Sequence, residues 1–584
     1  MTIRSGTETQ VNTYTTSYQT FPTTVGLDNG KWAVQWLSFG QVQNYDIYQQ
    51  LFNADGTPDG VETRVNTYTS FGQTGQQAAA LPNGKWVVVY TSSVLDGDAG
   101  GIFMQVFNAD GTPDGSEIQV NSDGTDEQRI PEIAVLSNGG WAITWTEIFT
   151  DALEPGGANY NVEVRTFSPT GTPLANEMIA STTVLHTQNQ QKIAALNGGG
   201  FVVTWSSSFQ DGDSLGVYQQ LFDASGNKVG SEVKVGTGDS RSEPEIIALA
   251  NGGWLNVWHA LGKDEAGTLG VYMQQYNSNG TTRGAEKLVN THTANHQSDH
   301  QITALADGGW VVTWMSLNQA VSGEYDVYQQ VYNADGTKQG GETHVNSTDT
   351  HITAAFTYVH VKVAALDDGG WVVVWQNNNT DTDGYSIHMQ VYDSDGSRRG
   401  GQRQVNVEET GDQAAMSVSA LENGDFVIAW QSKNQDGDDW GIFQRKFETV
   451  ENLNLTGNSN ANTLVGDWGQ DVLNGRAGDD ILRGMDGKDE LIAGKGTDTL
   501  TGGKGGDTFT FNKRWDTNTI RDFENGKDLI DLSAFGYARK RDALAQFQEW
   551  GTANDNKVKF SDKGTVIKVK GVDLGDIGGS DIII

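Results

Sequence analysis

Leu305-Ala-Asp-Gly-Gly-Trp310-Val-Val-Thr-Trp314 is the stretch on which the fold turns. A small apolar run ends at Leu305, a Gly-Gly turn of hairpin type follows, and two Trp residues stand four apart in a β-branched run. Positions i, i+2 and i+4 of a strand share a face, so Trp310 and Trp314 line one side of one strand. The signal recurs eight times, anchored at Trp32, Trp86, Trp141, Phe201, Trp254, Trp310, Trp371 and Phe426, with spacings of 53 to 61 residues. Seven anchors have a second Trp four residues on (Trp36, Trp145, Trp205, Trp258, Trp314, Trp375 and Trp430), and the eighth has Tyr90. These pairs are expected in the core. They use 13 of the 17 Trp residues and leave Trp440, Trp468, Trp515 and Trp550 free to stack on a ligand.

Each repeat reads as four strands. The first is a small apolar run such as Ala78 to Leu81, and the second carries the Trp pair. The third alternates aromatic and polar residues, as in Gly216 to Phe222. An Asn-Ala-Asp-Gly-Thr turn (Asn53 to Thr57) then leads to a short Glu-x-x-Val-Asn strand, as in Glu62 to Asn66. One such sheet cannot bury both faces, and eight in a ring can, so the expected fold is all-β: an eight-bladed β-propeller over residues 1–447. The chain opens on an isolated Glu8-Thr-Gln-Val-Asn12, and the eighth repeat supplies only three strands, Met416 to Phe447. The N-terminal strand is therefore expected to complete the last blade; an open solenoid is the alternative. A Gln recurs on the third strand (Gln50, Gln105, Gln220, Gln275, Gln330, Gln390), and six agreeing repeats point to a buried structural amide.

After Phe447 the period changes to nine: Gly466-Asp-Trp-Gly-Gln-Asp471, Gly475-Arg-Ala-Gly-Asp-Asp480, Gly484-Met-Asp-Gly-Lys-Asp489, then two further turns through Asp498 and Asp507. A hard cation needs oxygen ligands, glycine permits the turn dihedrals, and an apolar residue two positions after each Asp can stack inside a parallel β-roll. Asp471, Asp480, Asp489, Asp498 and Asp507 are thus candidate calcium ligands together with backbone carbonyls. Leu473, Leu482, Leu491, Leu500 and Phe509 are the expected interior. Asn462 stands where an Asp would, and Ala493 opens the fifth turn, so the end sites are expected to be weaker. The expected divisions are a roll at 448–511 and a C-terminal cap with an export segment at 512–584.

Composition narrows the classes. The 584 residues hold no Cys, which excludes disulfides, thiol nucleophiles and Cys-ligated metal. Residues 1 to 25 lack a basic segment followed by an apolar one, so no N-terminal signal peptide is expected, and no apolar run approaches a membrane span. Net charge is −36, of which −30 falls before residue 448 (51 acidic, 21 basic) and −6 after it (23 acidic, 17 basic). Such a field repels nucleic acid and anionic polymers unless divalent cations intervene.

The nonapeptide block resembles the RTX repeats of proteins exported by bacterial type I secretion. The likeness continues through Ile520-Arg-Asp-Phe-Glu-Asn-Gly-Lys-Asp-Leu-Ile-Asp-Leu-Ser533, which is similar to the segment after the β-roll in serralysin-type proteins. The terminus, Asp581-Ile-Ile-Ile584, resembles the uncleaved signal of that route. The blades resemble repeats of large RTX exoproteins, including rhizobiocin-like bacteriocin candidates. The resemblance implies a secreted, extracellular, calcium-loaded protein that meets a type I ABC export machinery.

Elsewhere the signals are shorter. Asp-Gly-Asp loops follow the Trp strands (Asp96 and Asp98, Asp211 and Asp213, Asp436 and Asp438), and each pair is either a calcium site or a solvated turn. His292, His296 and His300 are spaced by four, which on a helix would put all three on one side to bind a transition metal; the alternative is an exposed polar loop. No Gly-x-Ser-x-Gly elbow, His-Glu-x-x-His helix or phosphate loop is present. Enzymatic activity is left open by the sequence. Three functions compete: a propeller that binds an extracellular glycan or cell envelope, a polysaccharide lyase or hydrolase, and a bacteriocin-like factor. Near-regular blades favour binding, with the site expected on the loops that join second to third strands and one blade to the next.

Overall fold

The structure is a computed structural model that describes residues 2–584 apart from 43, 70, 94–99, 123, 125, 151–157, 184–186, 211, 213–214, 238–240, 347–351, 354–360, 378–383, 468 and 551–556. The chain divides into two compact units, 6–447 and 448–584 with 2–5. The longest helix among the described residues is Lys540–Leu544, and none is long and apolar enough to cross a membrane.

The first unit is an eight-bladed propeller of antiparallel sheets. Blade 1 is Gln19–Gly26, Trp32–Phe39, Tyr45–Phe52 and Pro58–Arg64, and blades 2 to 7 repeat that order. The first strands of neighbouring blades touch all the way round, including blade 8 (Gln413–Ala420) against blade 1, so the ring is closed. Blade 8 takes its fourth strand from the N-terminus: Thr9 lies opposite Gln444 and Gln10 opposite Phe443. Val11 N–H donates to Ile442 O at 2.7 Å, and Ile442 N–H to Asn12 Oδ1 at 2.7 Å.

The Trp pairs are buried between blades as the sequence requires. Indole N–H groups of Trp32, Trp86, Trp254 and Trp371 donate across the blade interface to Gln444, Gln49, Gln219 and Gln329, at 2.7 to 3.1 Å. A second joint was not legible in advance. In blades 1 to 6 the Glu at the fourth strand accepts the backbone N–H and hydroxyl of the residue after the preceding blade's Val-Asn, or after its counterparts Ala180-Ser181 and Val235-Gly236: Thr13 to Glu62, Thr67 to Glu117, Ser122 to Glu177, Thr182 to Glu232, Thr237 to Glu286 and Thr291 to Glu342, while blade 7 has Gln402 at that position. The closing blade uses it too, from Val407 N–H to Glu8. The third-strand Gln residues are structural: Gln50, Gln105, Gln220, Gln330 and Gln390 donate to the carbonyl of the next residue. In blade 5, however, Gln274 fills that role and not Gln275, because the position is fixed two residues before the strand's last aromatic, here Tyr276.

The first strands share an irregularity. In seven blades the register breaks at one point, and the residue there adopts a left-handed conformation: Phe21 (φ 53°), Gly75 (65°), Ile130 (55°), Gln190 (54°), Glu243 (54°), Asp299 (49°) and Ala415 (50°). Such a bulge re-aims one side chain per blade. Bulky and β-branched residues rarely accept this conformation.

The second unit is a parallel β-solenoid. Every second turn stacks in register, so that Leu455, Leu473, Leu491 and Phe509 align on one sheet and Leu464, Leu482 and Leu500 on the other. Leu473, Leu482, Leu491, Leu500 and Phe509 are fully buried. Stacking does not end at the boundary drawn near residue 511. Leu529–Asp531 and the terminal Ile582–Ile583 extend the first sheet, Thr517–Ile520 and Thr565–Lys570 the second, and one apolar core runs from Leu473 to Ile582.

Candidate calcium centre and binding face

A turn of the roll puts its Asp side chain inward, where the two carboxylate oxygens have different fates. One accepts the backbone N–H of the residue one full coil earlier: Asp480 Oδ1 from Asn462, Asp489 Oδ1 from Asp471, Asp498 Oδ1 from Asp480, and Asp507 Oδ1 from Asp489, at 2.7 to 2.9 Å. The other, Oδ2 of Asp480, Asp489, Asp498 and Asp507, is buried with no hydrogen-bond partner. A buried carboxylate oxygen left unpaired costs several kcal/mol on the order of a full desolvation penalty.

The space in front of the Asp480, Asp489 and Asp507 oxygens is held open by glycine, and at the Asp498 turn Ala493 takes that position. A Cβ at Gly484 would lie 2.2 Å from Asp489 Oδ2 and 2.6 Å from Gly502 O; one at Gly475, 2.6 Å from Asp480 Oδ2 and 2.4 Å from Ala493 O. A carboxylate oxygen and a carbonyl from the next coil thus converge at the Asp480 and Asp489 turns, the hard oxygen set that suits calcium. The first turns differ. Asp471 Oδ2 already accepts Asp467 N–H, and Asn462 Oδ1 accepts Asn458 N–H, both at 2.7 Å.

Residues 454–482 and 474–509 match the RTX calcium-binding nonapeptide repeat, in four copies. RTX nonapeptide repeats bind calcium. Their ligands here would be the unpaired Oδ2 atoms with the facing carbonyls, which explains why no group of three His, Asp or Glu side chains converges among the described residues: backbone supplies the remainder. No curated protein matches the chain. Among solved structures, the AlgE6R3 subunit of the Azotobacter vinelandii mannuronan C5-epimerase is similar at 27% identity over 23% of this chain and 84% of its own, with a TM-score of 0.20. A Dyadobacter fermentans protein of unknown function is similar at 11% over 77% and 99% (TM-score 0.34), and a Fusarium graminearum α-L-arabinofuranosidase at 13% over 54% and 91% (TM-score 0.33).

Burial first, then the charge of neighbouring carboxylates, pushes Asp489 and Asp498 up to about 6 and Asp507 up to about 7 in the metal-free RTX repeats. These folded-state values lie above the ordinary carboxylate value. The protonated, metal-free roll is therefore favoured below that ordinary value, and this contribution is lost as pH rises through 6 to 7. Calcium must displace the same protons, so its apparent affinity is expected to rise by roughly tenfold or more from pH 5.5 to 7.5. Calcium titrations at the two pH values check this; equal affinities would mean that these carboxylates do not hold the metal.

The other metal candidates fare differently. Asp96, Asp98, Asp211 and Asp213 lie outside the described residues, as do most of the variable loops between Glu147 and Asn161 and between 347 and 360. Asp436 and Asp438 serve as turn acceptors, Asp436 Oδ2 from Asn12 Nδ2 at 3.2 Å and Asp438 Oδ2 from Ser17 N–H at 2.9 Å. The His292, His296 and His300 spacing does not fall on a helix. The first two lie in a loop, while His300 sits buried on strand Gln297–Ala304, edge-on to His259 with ring centroids 5.7 Å apart.

Because strands alternate in direction, the turns between second and third strands share one face of the ring with the blade-to-blade loops. On blades 1 and 2 that face carries Tyr18, Phe21, Tyr45, Tyr68 and Phe71, each 36 to 61% exposed. Phe39 links Tyr18 and Tyr45, with centroids 6.3 and 4.8 Å away, and Tyr68 stacks on Phe71 at 6.3 Å. The Trp residues left over from the core contribute less: Trp515 packs on the roll core, and Trp468 lies outside the described residues. Tyr18 and Phe71, which have no aromatic counterpart in the adjacent repeats, are the signal that would have found this face.

Proposed function

We propose that this is an extracellular calcium-binding protein, exported by a type I route, whose propeller binds a glycan through the aromatic face of blades 1 and 2. The exposed rings carry the reading. Tyr and Phe rings cost little conformational entropy to order, offer flat apolar surface to sugar rings, and in Tyr add a hydroxyl. A surface that is otherwise polar and strongly acidic has no structural need of five exposed aromatics in two adjacent blades. RTX repeats bind calcium, and extracellular calcium is abundant where cytosolic calcium is scarce, which supports secretion.

Gel filtration of the calcium-loaded protein with a panel of bacterial and plant polysaccharides tests the reading. Co-elution with intact polymer is the expected result, and Tyr45→Ala with Tyr68→Ala is expected to weaken it by ~10-fold or more, the loss usual for interface anchors. Shortened polymer would make the protein a lyase or hydrolase instead. Absence of binding across the panel would overturn the glycan reading.

A further inference from the structure

Blade 5 carries a grouping that the other described blades lack. Ser242, near the start of strand Arg241–Ala248, lies opposite His259 on strand Trp254–Leu261. Its Oγ is 2.8 Å from His259 Nε2, and the other ring nitrogen, Nδ1, is 3.6 Å from Glu243 Oε2. The residue at the His259 position in blades 1, 2, 3, 4, 6 and 8 is Leu37, Thr91, Thr146, Ser206, Met315 and Gln431, none of which is a base at neutral pH. The backbone explains how the carboxylate arrives. Glu243 is the left-handed bulge residue of its strand (φ 54°), so its side chain is re-aimed toward the residue that faces Ser242. Blade 4 uses the same geometry for a structural bond, from Ser206 Oγ to Gln190 Oε1 at 2.8 Å.

A hydroxyl within reach of an imidazole whose far nitrogen faces a carboxylate has the makings of an activated nucleophile. The Glu243 carboxylate favours the tautomer protonated at Nδ1, which leaves Nε2 to accept from the Ser242 hydroxyl. The imidazole is 6% exposed, with His300 packed edge-on against it. Burial pushes His259 down and outweighs the opposing charges of Glu243 and Asp299, so the ring is a free base near neutral pH. Ser242 is half-buried and the Glu243 side chain 53% exposed, which brings the group to the solvent edge of the ring. The start of a first strand and the end of a second place it on the face that carries the blade-to-blade loops.

We propose that Ser242, His259 and Glu243 form an ester hydrolase centre that removes O-acyl groups from a glycan, with Ser242 as nucleophile, His259 as general base and Glu243 positioning the ring. Ser242 Oγ bonds to the ester carbonyl carbon as its proton passes to His259 Nε2; the C–O bond to the sugar then breaks, and the alcohol leaves with that proton. Water, deprotonated by the same imidazole, releases the carboxylic acid and restores the serine. The polymer keeps its length throughout. The sugar half of this substrate rests on the glycan reading, and the ester chemistry does not. The test treats the full, calcium-loaded chain with a fluorophosphonate probe, maps the label by mass spectrometry, and follows turnover of p-nitrophenyl acetate and acetate release from acetylated xylan. Ser242 is expected to take the label and Ser242→Ala to lose both label and turnover. His259→Gln is expected to slow both reactions ~100-fold, the worth of a general base. Glu243→Gln is expected to lower kcat by ~10-fold with KM unchanged, which a merely structural carboxylate would not do. Each variant's thermal transition serves as the folding control. An unlabelled Ser242, or turnover that survives Ser242→Ala, would overturn the centre and leave the glycan reading standing. A labelled Ser242 with p-nitrophenyl acetate turned over and acetylated xylan untouched would overturn the glycan ester as substrate. Failure of the whole polysaccharide panel would bring down the glycan reading and the sugar half together, with the labelling result still deciding the ester chemistry.

Discussion

Chelating calcium from the full chain is expected to abolish the parallel sheets between residues 454 and 583 while the propeller keeps its β-sheet signal. The force of the prediction lies in the unpaired Oδ2 atoms of Asp480, Asp489, Asp498 and Asp507, held buried within one narrow solenoid. Without the cation, each turn keeps a buried carboxylate with like charges above and below, and the small core is too thin to offset that repulsion and desolvation. Binding and folding of the roll are then one event. Circular dichroism and limited proteolysis give the readout: a stable fragment ending near residue 447 should accumulate only in chelator. Identical spectra and digestion patterns with and without calcium would show that the Asp ladder is not a metal site.

The second large effect concerns ring closure. Val11→Asp places a charge at a residue only 3% exposed, in the strand that completes blade 8, among Trp32, Trp36 and Ile442. The substitution removes apolar burial and adds an unpaired buried carboxylate, a loss on the order of 3 kcal/mol or more. The propeller's unfolding transition should move to lower temperature, while the calcium-dependent transition of the roll stays where it is. An unmoved propeller transition would mean that the N-terminal strand is not part of the ring.

The ring and the roll were readable in the sequence because each rests on a period that geometry enforces. A Trp pair four apart has one face to bury, and an Asp every ninth residue has one place to point. The aromatic face was readable only in part: Tyr45 recurs as Tyr160, Tyr325 and Tyr385 and Tyr68 repeats Tyr14, whereas Tyr18 and Phe71 break the repeat where no period constrains them. The bulges escaped for another reason: Phe21, Ile130 and Asp299 share no residue type, only a backbone conformation imposed by neighbouring blades. The Gln274 position shows the limit of matching letters, because two adjacent Gln residues look alike until one is counted from Tyr276. The His spacing left two readings open because a separation of four means one face only on a helix, and the segment from His292 to His300 is loop and strand.

The joint made by the fourth-strand Glu recurs between successive blades from blade 8 round to blade 6, and the contact from Glu8 to Val407 is one more copy of it. Closure therefore needs no specialised seam. A circular permutant with its new ends cut between any two neighbours among blades 1 to 6, and its old ends spliced, would meet the same joint at its own seam. Across blades 1 to 6 the coupling between units is indifferent to which copy it joins.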